Sequence, residues 1–195
     1  MERFKNKKIA VLGFGIEGVS VCDYLIDATS HITVLDEKKR ADFDEKMLKD
    51  YESKGITFLL GKIEDLTGFD IVFRSPGFYP DLPALKIARE KGIEITSATK
   101  LFFDLCPCPI IGVTGTKGKG TTSTLIYEML KLQGFDSYLG GNIGTPPLSF
   151  LDELKPDSKV ILELSSFQLI DFEKSPADAN PPSHKASDGQ RAMAG

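Results

Sequence analysis

Two stretches of this chain, "IAVLGFGIEG" at 9–18 and "IIGVTGTKGKGTT" at 110–122, share one plan: an apolar run, a glycine-rich turn, then the start of a helical pattern. Short continuous apolar runs of this kind read as strands buried on both faces, which occur in parallel sheets covered by helices. The plan appears twice, a hundred residues apart, so the chain is expected to hold two α/β units, each with a strand feeding a loop at the carboxyl edge of its sheet.

The rest of the pattern supports that division. After the first glycine turn come a helical "EGVSVCDYLIDA", a strand "HITVLD", a charged helical stretch "KKRADFDEKMLKDYESKG", and apolar runs "ITFLL" and "DIVFR". A Pro- and Gly-rich turn, "SPGFYPDLP", leads to a short helix stopped by Gly92 and to a strand "IEIT". The first unit is therefore expected over 1–95. A second begins with a helical "SATKLFFDL" and an extended "CPCP", then continues through "IIGV", a helix in which Leu125, Ile126, Met129 and Leu130 recur before Gly134, and a buried strand "KVILELSS". Beyond Pro176 the residues are polar and without period, a composition that cannot offset its ordering entropy by burial, so 177–195 is expected to be a disordered tail.

The second glycine turn has the setting of a phosphate-binding loop, with an unusual spelling. Against G-x-x-x-x-G-K-[ST], Val113 stands where the first Gly belongs and Gly120 where the hydroxyl belongs. Gly115 and Gly118 allow close backbone approach, and Lys119 can reach the terminal phosphates as a compact charge. Thr121 and Thr122 follow at once, so the metal-binding hydroxyl is expected one place later. Glu163 closes "KVILE", where a buried carboxylate is costly without a cation, which suits a role in holding Mg²⁺. The first turn, Gly13 to Gly18, is G-x-G-x-x-G, with Asp36 ending the next strand. That geometry fits a diphosphate or nucleotide of several classes, NAD among them.

Taken together, "GFGIEG", "TGTKGKGTT", "GGNIGTPPL" and "LELSSFQL" resemble the Mur ligases over roughly residues 5 to 176. The resemblance implies a Rossmann-like parallel-sheet domain followed by an incomplete P-loop ATPase-type α/β central domain, at 1–95 and 96–176. It implies ATP held by Gly115, Thr116, Lys117, Gly118, Lys119, Gly120, Thr121 and Thr122, and Mg²⁺ held by Thr121 and Glu163. It places a UDP-muramoyl substrate against Gly15, Ile16, Glu17, Asp36, Glu37, Lys38, Ser75, Pro76 and Gly77, with Asn142, Ser165 and Gln168 near the reaction centre. Lys119 and Glu163 would be the catalytic pair, and the substrates implied are UDP-N-acetylmuramoyl-L-alanine and D-glutamate. The family's downstream N-x-x-x-D-H-L-D segment has no counterpart here, and His184 and Lys185 are not given its roles. This chain is therefore expected to be a fragment that does not complete the ligation.

Three alternatives are weaker. The "GKGTT" spelling is close to folylpolyglutamate synthases, but those begin at the phosphate loop; an NAD module rests only on "GFGIEG" and Asp36; the last is a non-catalytic nucleotide-binding fragment. A net charge of −4, with 41% apolar and 27% charged residues, gives no reason to expect nucleic acid or an anionic membrane as partner. No apolar stretch approaches the ~20 residues of a bilayer span, so a cytoplasmic monomer is expected. The three cysteines, two of them in "CPCP", are expected to be unpaired thiols.

Overall fold

The computed structural model describes residues 2–29 and 31–172. Its α/β fold is built on two parallel sheets. In the first, β1 (Ile9–Leu12), β2 (Ile32–Asp36), β3 (Thr57–Leu60), β4 (Ile71–Arg74) and β5 (Glu94–Thr96) lie in the order β3-β2-β1-β4-β5. β1 is buried along its whole length, as its apolar run requires. It pairs Ile9 with Ile32 on one side and with Ile71 on the other, so β1 and β4 flank the point where strand order reverses. At such a point the loops part and leave a crevice.

The helices begin where the local chemistry dictates. α1 (Ile16–Leu25) starts straight from the glycine turn. The charged stretch expected to be helical as a whole gives a 3-10 turn at Arg40–Asp42 and then α2 (Glu45–Ser53), because the Asp44 carboxylate accepts from the N–H groups of Lys46 and Met47 at 2.8 and 3.0 Å and sets the helix start. α3 (Pro83–Glu90) opens on a proline, whose fixed φ suits the first helical position. α4 (Ala98–Leu105) is capped by the Ser97 hydroxyl.

The second sheet has β6 (Ile110–Val113), β8 (Lys159–Glu163) and β7 (Ser137–Gly141) in the order β6-β8-β7, with α5 (Lys119–Leu132) crossing between β6 and β7. β7 and a 3-10 turn at Pro147–Glu153 are not evident in the sequence pattern. α5 forms as expected; of its four recurring apolar residues Ile126 and Leu130 are half-buried, while Leu125 and Met129 stand 58 and 64% exposed. α6 (Ser166–Leu169) is a single turn. The tail after Pro176, with His184 and Lys185, lies outside the described residues.

No gap in packing separates the units. One apolar cluster runs from Ile9, Val21 and Phe73 through Leu101 and Phe102 of α4 to Phe150, Val160 and Leu162. Phe102 and Phe150 meet edge to face at 5.6 Å across the junction. A second cluster, with Leu12, Leu35, Val72 and Leu85, fills the opposite side of the first sheet under α3.

Candidate functional site

The carboxyl ends of the second sheet's three strands converge. Glu163, the last residue of the central strand, is in register with Val113 on β6 and Gly141 on β7. Val113 leads into the glycine loop, Gly141 into Asn142, and Glu163 carries its carboxylate between them, 5% exposed. The Asn142 N–H donates to the Glu163 carbonyl at 2.8 Å, and Asn142 Nδ2 donates to Glu163 Oε1 at 3.2 Å. This close seating requires Gly141, with φ +102: a Cβ there would lie 2.2 Å from the Glu163 carbonyl oxygen.

Residues Thr114 to Gly118 of the loop are exposed, and Gly118, in the left-handed conformation, starts α5 without a side chain to cap its first turn. Uncapped N–H groups at the start of a 14-residue helix are suited to an anion. Lys119 Nζ bridges back over the loop to the Gly115 carbonyl at 2.8 Å. A Cβ at Gly120 would approach Glu163 Oε2 to 3.2 Å, so the place that normally carries the metal-binding hydroxyl faces this carboxylate directly. Thr121 and Thr122 are exposed one and two places further on, while the Ser123 hydroxyl is buried against the carbonyls of Lys119 and Gly120. Among the described residues no group of three or more His, Cys, Asp or Glu gathers to hold a metal alone. One carboxylate and a hydroxyl beside a phosphate loop is instead the sparse donor set that Mg²⁺ uses, with phosphate oxygens and water completing its shell.

At the first sheet, Gly13 lies against Ser75 and Phe78, bringing the glycine loop beside the "SPG" turn. Asp36 is buried and both its oxygens are engaged: Oδ2 accepts from Phe14 N–H and Oδ1 from Lys38 N–H, each at 2.9 Å. It thereby holds the loop in shape. Gly15, Ile16, Glu37, Lys38 and Gly77 are exposed around this edge, and Ser75 and Pro76 are half-buried. A cavity of about 800 Å³ opens beside Ile16 between α1, Met47 and Leu148; Asp23, Asp27 and Asp152 line it, which makes it unsuited to a diphosphate.

Residues 7–97 match the family model described as "Mur ligase MurD-like, N-terminal domain". The chain is 46% identical over 177 residues to a UDP-N-acetylmuramoylalanine–D-glutamate ligase of Acetivibrio thermocellus. The alignment covers 90% of this chain. The chain belongs to the Mur ligase family. Enzymes of the same name from Ruminiclostridium cellulolyticum and Clostridium kluyveri match at 43% over 180 and 42% over 174 residues, covering 90% and 88% of the chain. The chain spans 38% of the length of each of these three relatives.

In this Mur ligase chain, three of the side chains singled out from the sequence bind one another. Ser165 and Gln168 form a reciprocal cap on α6: Gln168 N–H donates to Ser165 Oγ at 3.2 Å and Ser165 N–H donates to Gln168 Oε1 at 2.8 Å. The S-x-x-Q spacing at 165–168 is the sequence signal for it. Gln168 Nε2 then donates to Glu17 Oε1 at 2.6 Å. Glu17 therefore turns its carboxylate inward, and its Oε2 is buried with no partner among the described residues. Burial pushes the Glu17 carboxyl above the usual carboxylate range; the Gln168 bond and the Arg74 charge pull it down in part, and Asp171 adds to the rise. An acid raised in the folded state binds more protons folded than unfolded, so its stabilisation is full at low pH and is lost as pH climbs through the window between the two values. Glu17→Gln removes that loss: melting scans from about pH 4 to pH 7 are expected to show the variant gaining on the wild type as pH rises. A constant difference across the window would show that Glu17 is not buried as described.

Proposed function

We propose that this chain is the nucleotide- and substrate-binding portion of an ATP-dependent ligase that joins D-glutamate to UDP-N-acetylmuramoyl-L-alanine in peptidoglycan precursor synthesis. The observation that carries the reading is the convergence at Glu163 of the glycine loop and Asn142, in a chain 42–46% identical to ligases of that name. On this reading 1–95 is a Rossmann-like unit for the UDP substrate and 96–176 is the beginning of a P-loop ATPase-type unit.

The reaction consists of two transfers. The substrate's alanine carboxylate oxygen attacks the γ-phosphorus of ATP and ADP departs, leaving an acyl phosphate. The D-glutamate amine then attacks the acyl carbon, phosphate departs and the amine proton is lost. The N–H groups of Gly115 to Thr122 cradle the phosphates, and Lys119 releases the Gly115 carbonyl to neutralise the transferring group. Glu163 and Thr121 would hold Mg²⁺, which supplies further charge neutralisation at the phosphates when bound. Asn142, tied to Glu163, positions the carboxylate to be activated. Gly15, Ile16, Glu37, Lys38, Ser75, Pro76 and Gly77 line the UDP site, and Asp36 and Glu17 support the loop from beneath. Ser165 and Gln168, tied to one another by their reciprocal bonds, contact the UDP-muramoyl substrate near the reaction centre. A cytoplasmic setting follows from the nucleotide substrates, and among the described residues no helix is long and apolar enough to cross a membrane.

Calorimetric titration with UDP-N-acetylmuramoyl-L-alanine, NAD and folate in turn tests the reading: the first binds, and tight NAD binding with no response to the UDP substrate overturns it. Lys119→Ala removes one charged phosphate contact, about 2 kcal/mol or thirtyfold in ATP affinity, and leaves UDP-substrate binding intact. Loss of both affinities would mean that the two sites are wrongly assigned.

A further inference from the structure

Arg74 closes β4 just before the "SPG" turn, and its side chain is wholly buried. A guanidinium has five N–H donors in a rigid fork, and five bonds are formed. Nη1 donates to the carbonyls of Phe78 and Ser75 at 2.5 and 3.4 Å. Nε and Nη2 donate to Asp171 Oδ1 and Oδ2 at 3.1 and 2.7 Å, and Nη2 also to the Phe167 carbonyl at 3.1 Å. One half of the fork thus holds the Ser75–Phe78 turn of the first sheet. The other half holds the Phe167–Asp171 segment beyond the second sheet. Beside it the Gln168–Glu17 bond joins the same segment to the start of α1.

From this geometry we infer that Arg74 is a positioning residue, which with Asp171 makes the "SPG" turn and the segment after β8 move as one body. The two halves of the site proposed above are thereby coupled. A buried ion pair is a poor choice for stability alone, since apolar residues of similar volume do as well or better. What the pair adds is direction. Its planar fork fixes two segments at set angles, which neither an apolar contact nor a lysine can do. Both segments carry residues assigned to the UDP substrate, Ser75 and Gly77 on one and Ser165 and Gln168 on the other, so ligand contact with either is transmitted to its partner.

The functional part of this inference rests on the proposed ligase reading; the mechanical part does not, and amide hydrogen exchange separates them. Without ligand, Arg74→Lys is expected to speed exchange at least tenfold in both 75–78 and 165–172 while β1 and β2 amides keep their protection. A uniform acceleration across the whole chain would mark a merely structural role, and a change in one segment alone, or none, would likewise overturn the inference. Should that variant fold poorly, the pair Arg74→Met with Asp171→Leu retains the packing, and the same split pattern is expected. With UDP-N-acetylmuramoyl-L-alanine added, the wild type gains protection in both segments and the variant only in 75–78. A wild type that ignores the ligand, with Arg74→Lys still showing the ligand-free split, keeps the coupling and removes the ligase reading.

Discussion

Gly18→Ala is expected to lower stability by roughly 3 kcal/mol and the melting temperature by roughly 6–12 °C. Gly18 sits in the first turn of α1, where the carbonyl of Gly13 passes directly beneath it. A Cβ at that place would lie 1.9 Å from the Gly13 oxygen and 3.0 Å from its carbon. Both atoms are backbone, so no side chain can swing aside; the helix or the loop has to move by roughly 1 Å to restore contact distance. Alanine improves helix propensity by about 1 kcal/mol, which offsets only part of the strain. Gly15→Ala serves as control, since no atom stands within 4 Å of its added Cβ and its φ is −91°. Thermal scans of the two variants therefore separate the steric requirement of the third glycine from a general dislike of substitution in the loop. Equal melting temperatures would show that α1 does not press on Gly13 as described.

Arg74→Met is expected to cost about 4 kcal/mol in chemical denaturation. The loss has two parts. Asp171, 7% exposed at its side chain, is left as a buried carboxylate facing no cation, and the carbonyls of Phe78 and Phe167 lose their donor. Adding Asp171→Leu removes the stranded charge and is expected to recover most of the stability, a non-additive result that a double-mutant cycle reads directly. If Arg74→Met alone costs less than about 1 kcal/mol, the value typical of an exposed pair, then the guanidinium is not enclosed by the two sheets.

The parts of the fold that could be read from sequence were those in which local and tertiary demands agree. β1, β4 and β8 are short apolar runs that end at a glycine, a proline turn or a charge, and a strand buried in a parallel sheet needs little else; β6, expected to be buried as well, is a strand but lies half-exposed at the sheet edge. β7 is not legible because "SYLGG" has neither β-branched residues nor alternation; it is a strand because all five residues pair with β8, with Gly141 seated against Glu163 and Gly140 against Thr145 and Phe150, contacts that no local pattern reveals. The apolar spacing of α5 marks a helix but not which residues are covered: the helix packs on β7 and β8, Ile126 and Leu130 are half-buried, and Leu125 and Met129 face outward.

For the candidate site, the glycines, Lys119 and Glu163 stand out in the sequence because a phosphate-binding loop would restrict residue type at fixed spacing, and the sheet register brings the loop and Glu163 to one edge. Arg74 was not. A lone arginine closing a strand reads as a solvated end, and its partner Asp171 lies 97 positions away, so only the fold brings the two together. Glu17 shows the same limit in reverse: its place in the loop suggested contact with substrate, while the structure turns its carboxylate towards Gln168, 151 positions later.

The strand order β6-β8-β7 also sets a schedule. β6 is finished at Val113 and β7 at Gly141, yet neither pairs with the other; both wait for β8, which ends at Glu163. A ribosome adding about 5–20 residues per second needs roughly 3–10 s to cover that interval. Throughout it the glycine loop is joined to a strand with no neighbour, whereas β1 finds β2 within the first 36 residues. The nascent protein thus acquires the carboxyl edge of its second sheet late and all at once, when the strand that carries Glu163 arrives.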